Sequence, residues 1–269
     1  MPRPSRIEYE NACYHVMNRG RGRQRIFHDD VYYQHFLSVL SETQQRFGLE
    51  IFAYCLMGNH YHLLVRTPRA NLGRCMRHIN GLYTQAYNRL KNTDGPLFRG
   101  RYKAILVEAD SYLLQLSRYI HRNPIETKRP LVSALEDYLW SSYPAYINQT
   151  VCPDWLERNV CYGLLGRRQR YKAYSAFVEA GNSKEIQGFY AKKAQKPILG
   201  SDDFVEWILQ TGDADMAKRL AKEMANPPTI EAIVAAVAAE FATEVELILH
   251  SAKGRGSKNI ARWVEGLTP

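Results

Sequence analysis

The octapeptide Gly58-Asn59-His60-Tyr61-His62-Leu63-Leu64-Val65 constrains this chain more than any other stretch. A Gly-Asn pair between two apolar runs reads as a two-residue hairpin turn, and Gly in first place suits type II′. Leu49 to Met57 before it form a strong strand. The residues after it run as a strand from His60 to about Thr67, where Pro68 ends it. Side chains alternate faces along a strand, so His60 and His62 project from one face and Tyr61 and Leu63 from the other. Two imidazoles at i, i+2 can reach one metal ion, although two nearby histidines are often incidental. Imidazoles alone suit zinc and other transition metals. Mixed nitrogen and oxygen ligands with open positions permit Mg²⁺ or Mn²⁺.

The flanking pattern supplies the rest of a sheet. Tyr14 to Arg19 reads as a first strand, and Gly20 to Arg25 as a flexible basic loop. Asp29 or Asp30 caps a helix running through about Phe47, which Gly48 stops. Leu72 to Leu90 form a second helix, with Met76, Ile79, Tyr83 and Tyr87 on one face. Phe98 to Val107 hold a fourth strand. A third helix runs from Asp110 to about Asn123, with Asp110 or Ser111 as N-cap and Pro124 as its stop. The order β-α-β-β-α-β predicts an α+β fold of the ferredoxin-like, split βαβ kind: an antiparallel sheet with helices on one face and the other face free for a ligand.

Past about residue 150 the chain becomes helical and nearly neutral. Three parts are expected: residues 1–150, a helical extension or linker over 151–226, and a helical region over 227–269. Lys192 to Gly200 reads as linker. In the last part a helix spans Thr229 to Phe241, Glu244 to His250 follow, a glycine-rich basic turn covers Ser251 to Ser257, and a final helix begins near Asn259.

Charge separates the two halves. Residues 1–150 carry 20 Lys and Arg against 12 Asp and Glu, a net +8 of the chain's +9. A positive field confined to one part suits a polyanion such as nucleic acid. Arg19, Arg21, Arg23, Arg25, Arg99, Arg101 and Lys103 are the candidate phosphate or base contacts, and Tyr102 a candidate stacking platform. The five cysteines include no C-x-x-C pair and are odd in number, which argues against a disulfide framework and a cysteine zinc site. Cys55, inside an apolar run, reads as a small core residue. No apolar run approaches the roughly 18 residues of a membrane span, and no apolar segment follows the basic N-terminus as it would in a signal peptide. A cytoplasmic location is expected.

Five stretches occur in a recognisable order: Tyr14-His15-Val16-Met17-Asn18-Arg19-Gly20, the octapeptide above, Phe98-Arg99-Gly100-Arg101-Tyr102-Lys103, Arg118-Tyr119-Ile120-His121-Arg122-Asn123-Pro124, and Trp140-Ser141-Ser142-Tyr143. His60-Tyr61-His62 resembles the His-hydrophobe-His (HUH) motif of single-strand nucleases. The set over residues 1–150 resembles the REP-associated tyrosine transposases, relatives of the single-tyrosine transposases of small insertion sequences. Tyr61 is a minor departure from a plain aliphatic middle residue.

The resemblance implies a metal-dependent endonuclease and strand transferase acting in DNA transposition. It places the nucleophile on the helix just before Asn-Pro, at Tyr119, and a polar third metal ligand at Asn123, beside His60 and His62. Among 18 tyrosines, spacing alone leaves Tyr119 and Tyr112 both open. Leu113, Leu116 and Ile120 form an apolar stripe, and Tyr119 and Asn123 lie beside it. The implied chemistry is attack by the tyrosine on a phosphate of single-stranded DNA, leaving a 5′-phosphotyrosine and a free 3′-OH. The implied cofactor is Mg²⁺ or Mn²⁺, and the implied partner is a REP-type hairpin. The alternatives are a DNA-hairpin-binding regulator without catalysis and a metal-dependent hydrolase without a covalent step. Thr229 to Val264 resemble the helix-turn-helix domain of the replication initiator DnaA, with a shortened last helix. That resemblance implies duplex contacts by Lys253, Arg255, Lys258 and Arg262. A monomer or a homodimer is expected.

Overall fold

The Asp29 side chain accepts a hydrogen bond from the Val31 N–H, and Gly48 turns left-handed at φ 69°; between them lies α1 (Asp30–Phe47). This is seen in a computed structural model that describes residues 7–192, 196–211, 230–240 and 244–246. The chain divides into two compact units, Met1–Met224 and Ala225–Pro269.

The first unit is built on a sheet of β1 (Ala12–Arg19), β2 (Glu50–Met57), β3 (His60–Thr67), β4 (Lys103–Val107) and β5 (Ile198–Leu199), in the order β2-β3-β1-β4-β5. The first four strands pair antiparallel, as the split βαβ reading requires. The fifth pairs parallel with β4, so the sheet is mixed. Lys192 to Gly200 is thus not linker throughout. Ile198 and Leu199 are buried, and the Leu106 and Glu108 N–H groups donate to Pro197 and Leu199 carbonyls at 2.9 Å. Two apolar residues beside an open strand edge lower their free energy by burial and pairing together.

One sheet face packs under α1 and α2 (Leu72–Lys91). Tyr61, wholly buried, sets its ring 4.8 Å from Phe36 and donates its hydroxyl to Asn80 Oδ1 at 2.8 Å. The bulky residue between the histidines therefore anchors β3 from behind. The opposite face is not left open along its length. α3 (Ala109–Arg122) lies there, and its stripe of Leu113, Leu116 and Ile120 is buried, which drives it onto the sheet. It begins one residue earlier than expected, after Glu108, with no side-chain cap.

The Gly58-Asn59 turn is not type II′. Neither residue has a positive φ, which that type demands at its first central position. The neighbouring loop holds the turn instead. Ile26 and Phe27 N–H donate to the Gly58 carbonyl, Gly20 N–H donates to the Asn59 carbonyl, and the Asn59 side-chain amide donates to the Arg23 carbonyl.

The Trp140–Tyr143 stretch runs along the outer edge of β2. Leu56 N–H donates to the Trp140 carbonyl and Ser142 N–H to the Tyr54 carbonyl, while the Trp140 ring stacks on Tyr33 at 4.3 Å. Beyond it come α4 (Tyr143–Tyr146), α5 (Asn159–Leu165), α6 (Arg170–Glu179), α7 (Lys184–Ala191) and α8 (Asp202–Thr211). They pack against α3 and the sheet through one continuous core. A buried polar network ties α6 to α3 and to the β2 edge: Tyr174 donates to Ser117 Oγ at 2.7 Å, and His121 joins Tyr174 at 2.9 Å and Ser142 Oγ at 2.6 Å.

In the second unit the expected helix appears as α9 (Ile230–Glu240), with Val234 and Ala238 buried. Lys253, Arg255, Lys258 and Arg262 lie outside the described residues. No helix among the described residues is long and apolar enough to cross a membrane.

Candidate active site

Strand register fixes which side chains meet. His62 sits opposite Met17 and Cys55, and His60 opposite Arg19 and Met57, while His15 sits opposite Leu64 and Ile105. His15, Arg19, His60, His62 and Lys103 therefore share the face that α3 crosses. His60 and His62 lie with ring centroids 5.1 Å apart at 78°.

Tyr119 meets this group from α3. Its ring lies edge-on to His15 at 5.9 Å and to His62 at 6.2 Å. Its face stacks on Tyr190 of α7 at 4.1 Å and 13°. Of the two tyrosines left open by spacing, this is the one beside the histidine pair. Tyr112 turns to the other flank of α7 and gives its hydroxyl to Glu185. Asn123 is not seen on the histidines: its side-chain amide donates to the Tyr119 carbonyl at 2.8 Å and so tidies the end of α3.

Burial and positive neighbours keep the imidazoles neutral. His15 is held down to about 3 by burial and then by Lys103. Burial and then Arg19 hold His60 down to about 4. His62 is held well below its ordinary value by burial and by the other two histidines. A neutral imidazole keeps one lone pair, which is what a ligand needs. The Tyr119 phenol is pushed up to about 12 by burial, with Glu126 adding in the same direction.

The donor set can be weighed against the expected ion. His60 and His62 fit as two ligands. Among the described residues no three His, Cys, Asp or Glu side chains are grouped to hold a metal. An imidazole pair without a carboxylate matches Mn²⁺ better than Mg²⁺, which demands oxygen.

The expected DNA contacts divide by position. Arg21 and Arg23 occupy a short exposed turn, and Arg25, Arg99 and Arg101 are also exposed. Arg19 and Lys103 are partly buried on the histidine face. Tyr102 is 8% exposed, so its ring offers little face to a base, and its role as a stacking platform is not supported. Sequence reading assigned no role to His15 or Tyr190. Alternation along β1 from Arg19 could have flagged His15. Nothing local marks Tyr190, because its place depends on α7 folding back from 71 residues after Tyr119.

Comparison with known proteins follows the same segment. Residues 8–123 match the family model described as transposase IS200 like. A Haemophilus influenzae protein described as a REP-associated tyrosine transposase is 24% identical over 136 residues, covering 46% of this chain and 76% of that protein. A solved REP-associated tyrosine transposase bound to a REP hairpin is 16% identical with a TM-score of 0.48, covering 60% of this chain and 93% of its own. A crystal structure described as a transposase from Deinococcus radiodurans R1 is 20% identical with a TM-score of 0.32, covering 45% of this chain and 97% of its own. The motif order and the family match fall on the same residues, so segment 8–123 of this chain is similar to the IS200-like transposases.

Proposed function

We propose that this protein cleaves and rejoins single-stranded DNA at hairpin-forming, REP-like palindromes, with Tyr119 as nucleophile. The observation that carries the reading is the meeting of Tyr119 with His62 across two separate elements, α3 and β3. Tyr119 Oη attacks the phosphorus, and its proton passes to solvent. The O3′–P bond breaks, the 3′-oxygen takes a proton and leaves as a free hydroxyl, and a 5′-phosphotyrosine remains. The reverse attack by a 3′-hydroxyl rejoins the strand without ATP, because the ester is conserved. Arg19 and Lys103, on the same face, attract the phosphate and oppose its charge.

His60 and His62 would hold a divalent cation, Mn²⁺ on the donor set, with Asn123 Oδ1 as third ligand, since the bond to the Tyr119 carbonyl engages only the amide N–H of Asn123. Such an ion supplies Lewis-acid stabilisation of charge on the phosphate. The exposed Arg21, Arg23, Arg25, Arg99 and Arg101 would track the hairpin backbone, and the 227–269 region would add duplex contacts through Lys253, Arg255, Lys258 and Arg262. Residues 1–150 carry the catalytic groups. The reading places the protein in the cytoplasm, acting as a monomer.

One observation favours a second reading, hairpin binding without cleavage. The Tyr119 phenol is pushed up to about 12 and lies stacked under Tyr190. A denaturing gel separates the two. End-labelled single-stranded REP-like hairpin, incubated with the full chain and Mn²⁺, yields a protein–DNA adduct that Tyr119→Phe abolishes. Cleavage that survives Tyr119→Phe refutes the assignment of the nucleophile, and binding without cleavage under any divalent ion establishes the second reading.

A further inference from the structure

Two hydrogen-bonding groups, His15 and Tyr190, stand in line behind His62. The Tyr190 hydroxyl lies 2.5 Å from His15 Nδ1, and His15 Nε2 lies 2.9 Å from His62 Nδ1. His15 is wholly buried, so water does not compete for these contacts. Its ring sits 5.1 Å from that of His62 at 26°. The register explains the reach: Met17 is directly opposite His62, and His15 is the diagonal neighbour on the same face.

Each nitrogen of a neutral imidazole either donates or accepts, so one proton placement dictates the next. Two placements satisfy the line. In the first, Tyr190 donates to His15 Nδ1, His15 Nε2–H donates to His62 Nδ1, and His62 carries its proton on Nε2. In the second, His62 Nδ1–H donates to His15 Nε2, His15 Nδ1–H donates to the Tyr190 oxygen, and His62 Nε2 keeps its lone pair. Only the second leaves His62 able to ligate a cation through Nε2.

We infer that His15 is a positioning residue which, backed by the Tyr190 hydroxyl, fixes His62 in its Nδ1–H form and aims Nε2 at the cation. This rests on the reading that His60 and His62 hold a divalent ion. Ligating histidines ordinarily pass their second N–H to an acceptor that sets tautomer and ring orientation. Here the acceptor is another imidazole, braced by a tyrosine from α7. The same tyrosine lays its ring on Tyr119, so one residue of the C-terminal extension touches both halves of the site.

The two contacts of Tyr190 can be separated. Tyr190→Phe keeps the ring and removes the hydroxyl. His15→Asn removes the imidazole bridge. Mn²⁺ binding to the full chain is measured by titration calorimetry and by the loss of the free-ion electron paramagnetic resonance signal. His15→Asn is expected to raise the Mn²⁺ Kd by about 10- to 100-fold, and Tyr190→Phe to raise it by a smaller factor. Nitrogen-15 imidazole spectra of the metal-free protein are expected to show His62 protonated on Nδ1 and bare on Nε2. Circular dichroism checks folding; if His15→Asn fails to fold, Tyr190→Phe and the spectra decide. An unchanged Kd in folded variants, or His62 protonated on Nε2, overturns the inference while the cation reading stands. Mn²⁺ binding that survives His60→Ala and His62→Ala overturns the cation reading, and the inference with it.

Discussion

His121 provides a measurable link between burial and pH. It is wholly buried between Ser142 Oγ and the Tyr174 hydroxyl, and burial holds its pKa down from 6.5 to about 3. The folded state therefore resists a proton that the unfolded chain accepts. Its contribution is fully present above pH 6.5 and is lost as pH falls toward the folded value. The whole gap is worth about 5 kcal/mol at about 1.4 kcal/mol per pKa unit. Between about pH 7 and pH 5 the loss comes to about 2 kcal/mol, because only the unfolded chain is protonated there. His121→Gln removes the titration. Such a variant starts less stable at pH 7, since a network of buried hydrogen bonds is disturbed, by about 1–3 kcal/mol. It should then lose about 2 kcal/mol less than the parent on going to pH 5. Urea unfolding at both pH values, with the slope checked for constancy, measures the difference. Parent and variant losing equal stability between pH 7 and pH 5 would refute the argument that His121 stays neutral in the fold.

Two further perturbations test the parts that position the site. Leu116→Ala, at a wholly buried position on the inner stripe of α3, should cost about 2–5 kcal/mol by cavity formation. In the folded fraction it should also slow adduct formation by Tyr119, read by thermal melting and single-turnover gels. Gly20→Ala places a methyl 2.3 Å from the Gln24 carbonyl oxygen. The 20–27 loop must shift, and with it the brace on the Gly58-Asn59 turn. Stability should fall by about 1–3 kcal/mol, and hairpin affinity measured by fluorescence anisotropy should fall too. Unchanged affinity would show that this loop does not position the basic residues.

The sheet was legible because its signals are local. Alternation at His60-Tyr61-His62 and the apolar stripe of α3 each follow from neighbours a few residues apart, and β3 runs from His60 to Thr67 as read. The hairpin type was not legible, because loop residues 20–27 hydrogen-bond the turn from outside it. Nor was the covering of the second face. α7 reaches the site, and β5 the edge of β4, only through tertiary packing, so a two-residue strand at Ile198–Leu199 looked like linker. The burial of Tyr102 was not legible for the same reason: an aromatic among arginines looks solvent-facing until the chain packs over it. Among the catalytic candidates, the placing of Tyr119 beside His62 depends on the docking angle of α3, which no spacing rule specifies.

The sheet's two edges bear on how copies of the chain can associate. An unpaired edge is a template on which another molecule can add a strand. Along β2 that template is already used: Ile51, Tyr54 and Leu56 are engaged by Glu157, Ser142 and Trp140 of the same chain. At β4 the Leu106 and Glu108 donors are taken by the β5 segment. What remains of that edge begins at Lys103, a charged residue that opposes strand addition. Among the described residues strand addition is thus opposed along β2 and along the stretch of β4 that β5 does not cover, and the edge beyond is the two-residue β5.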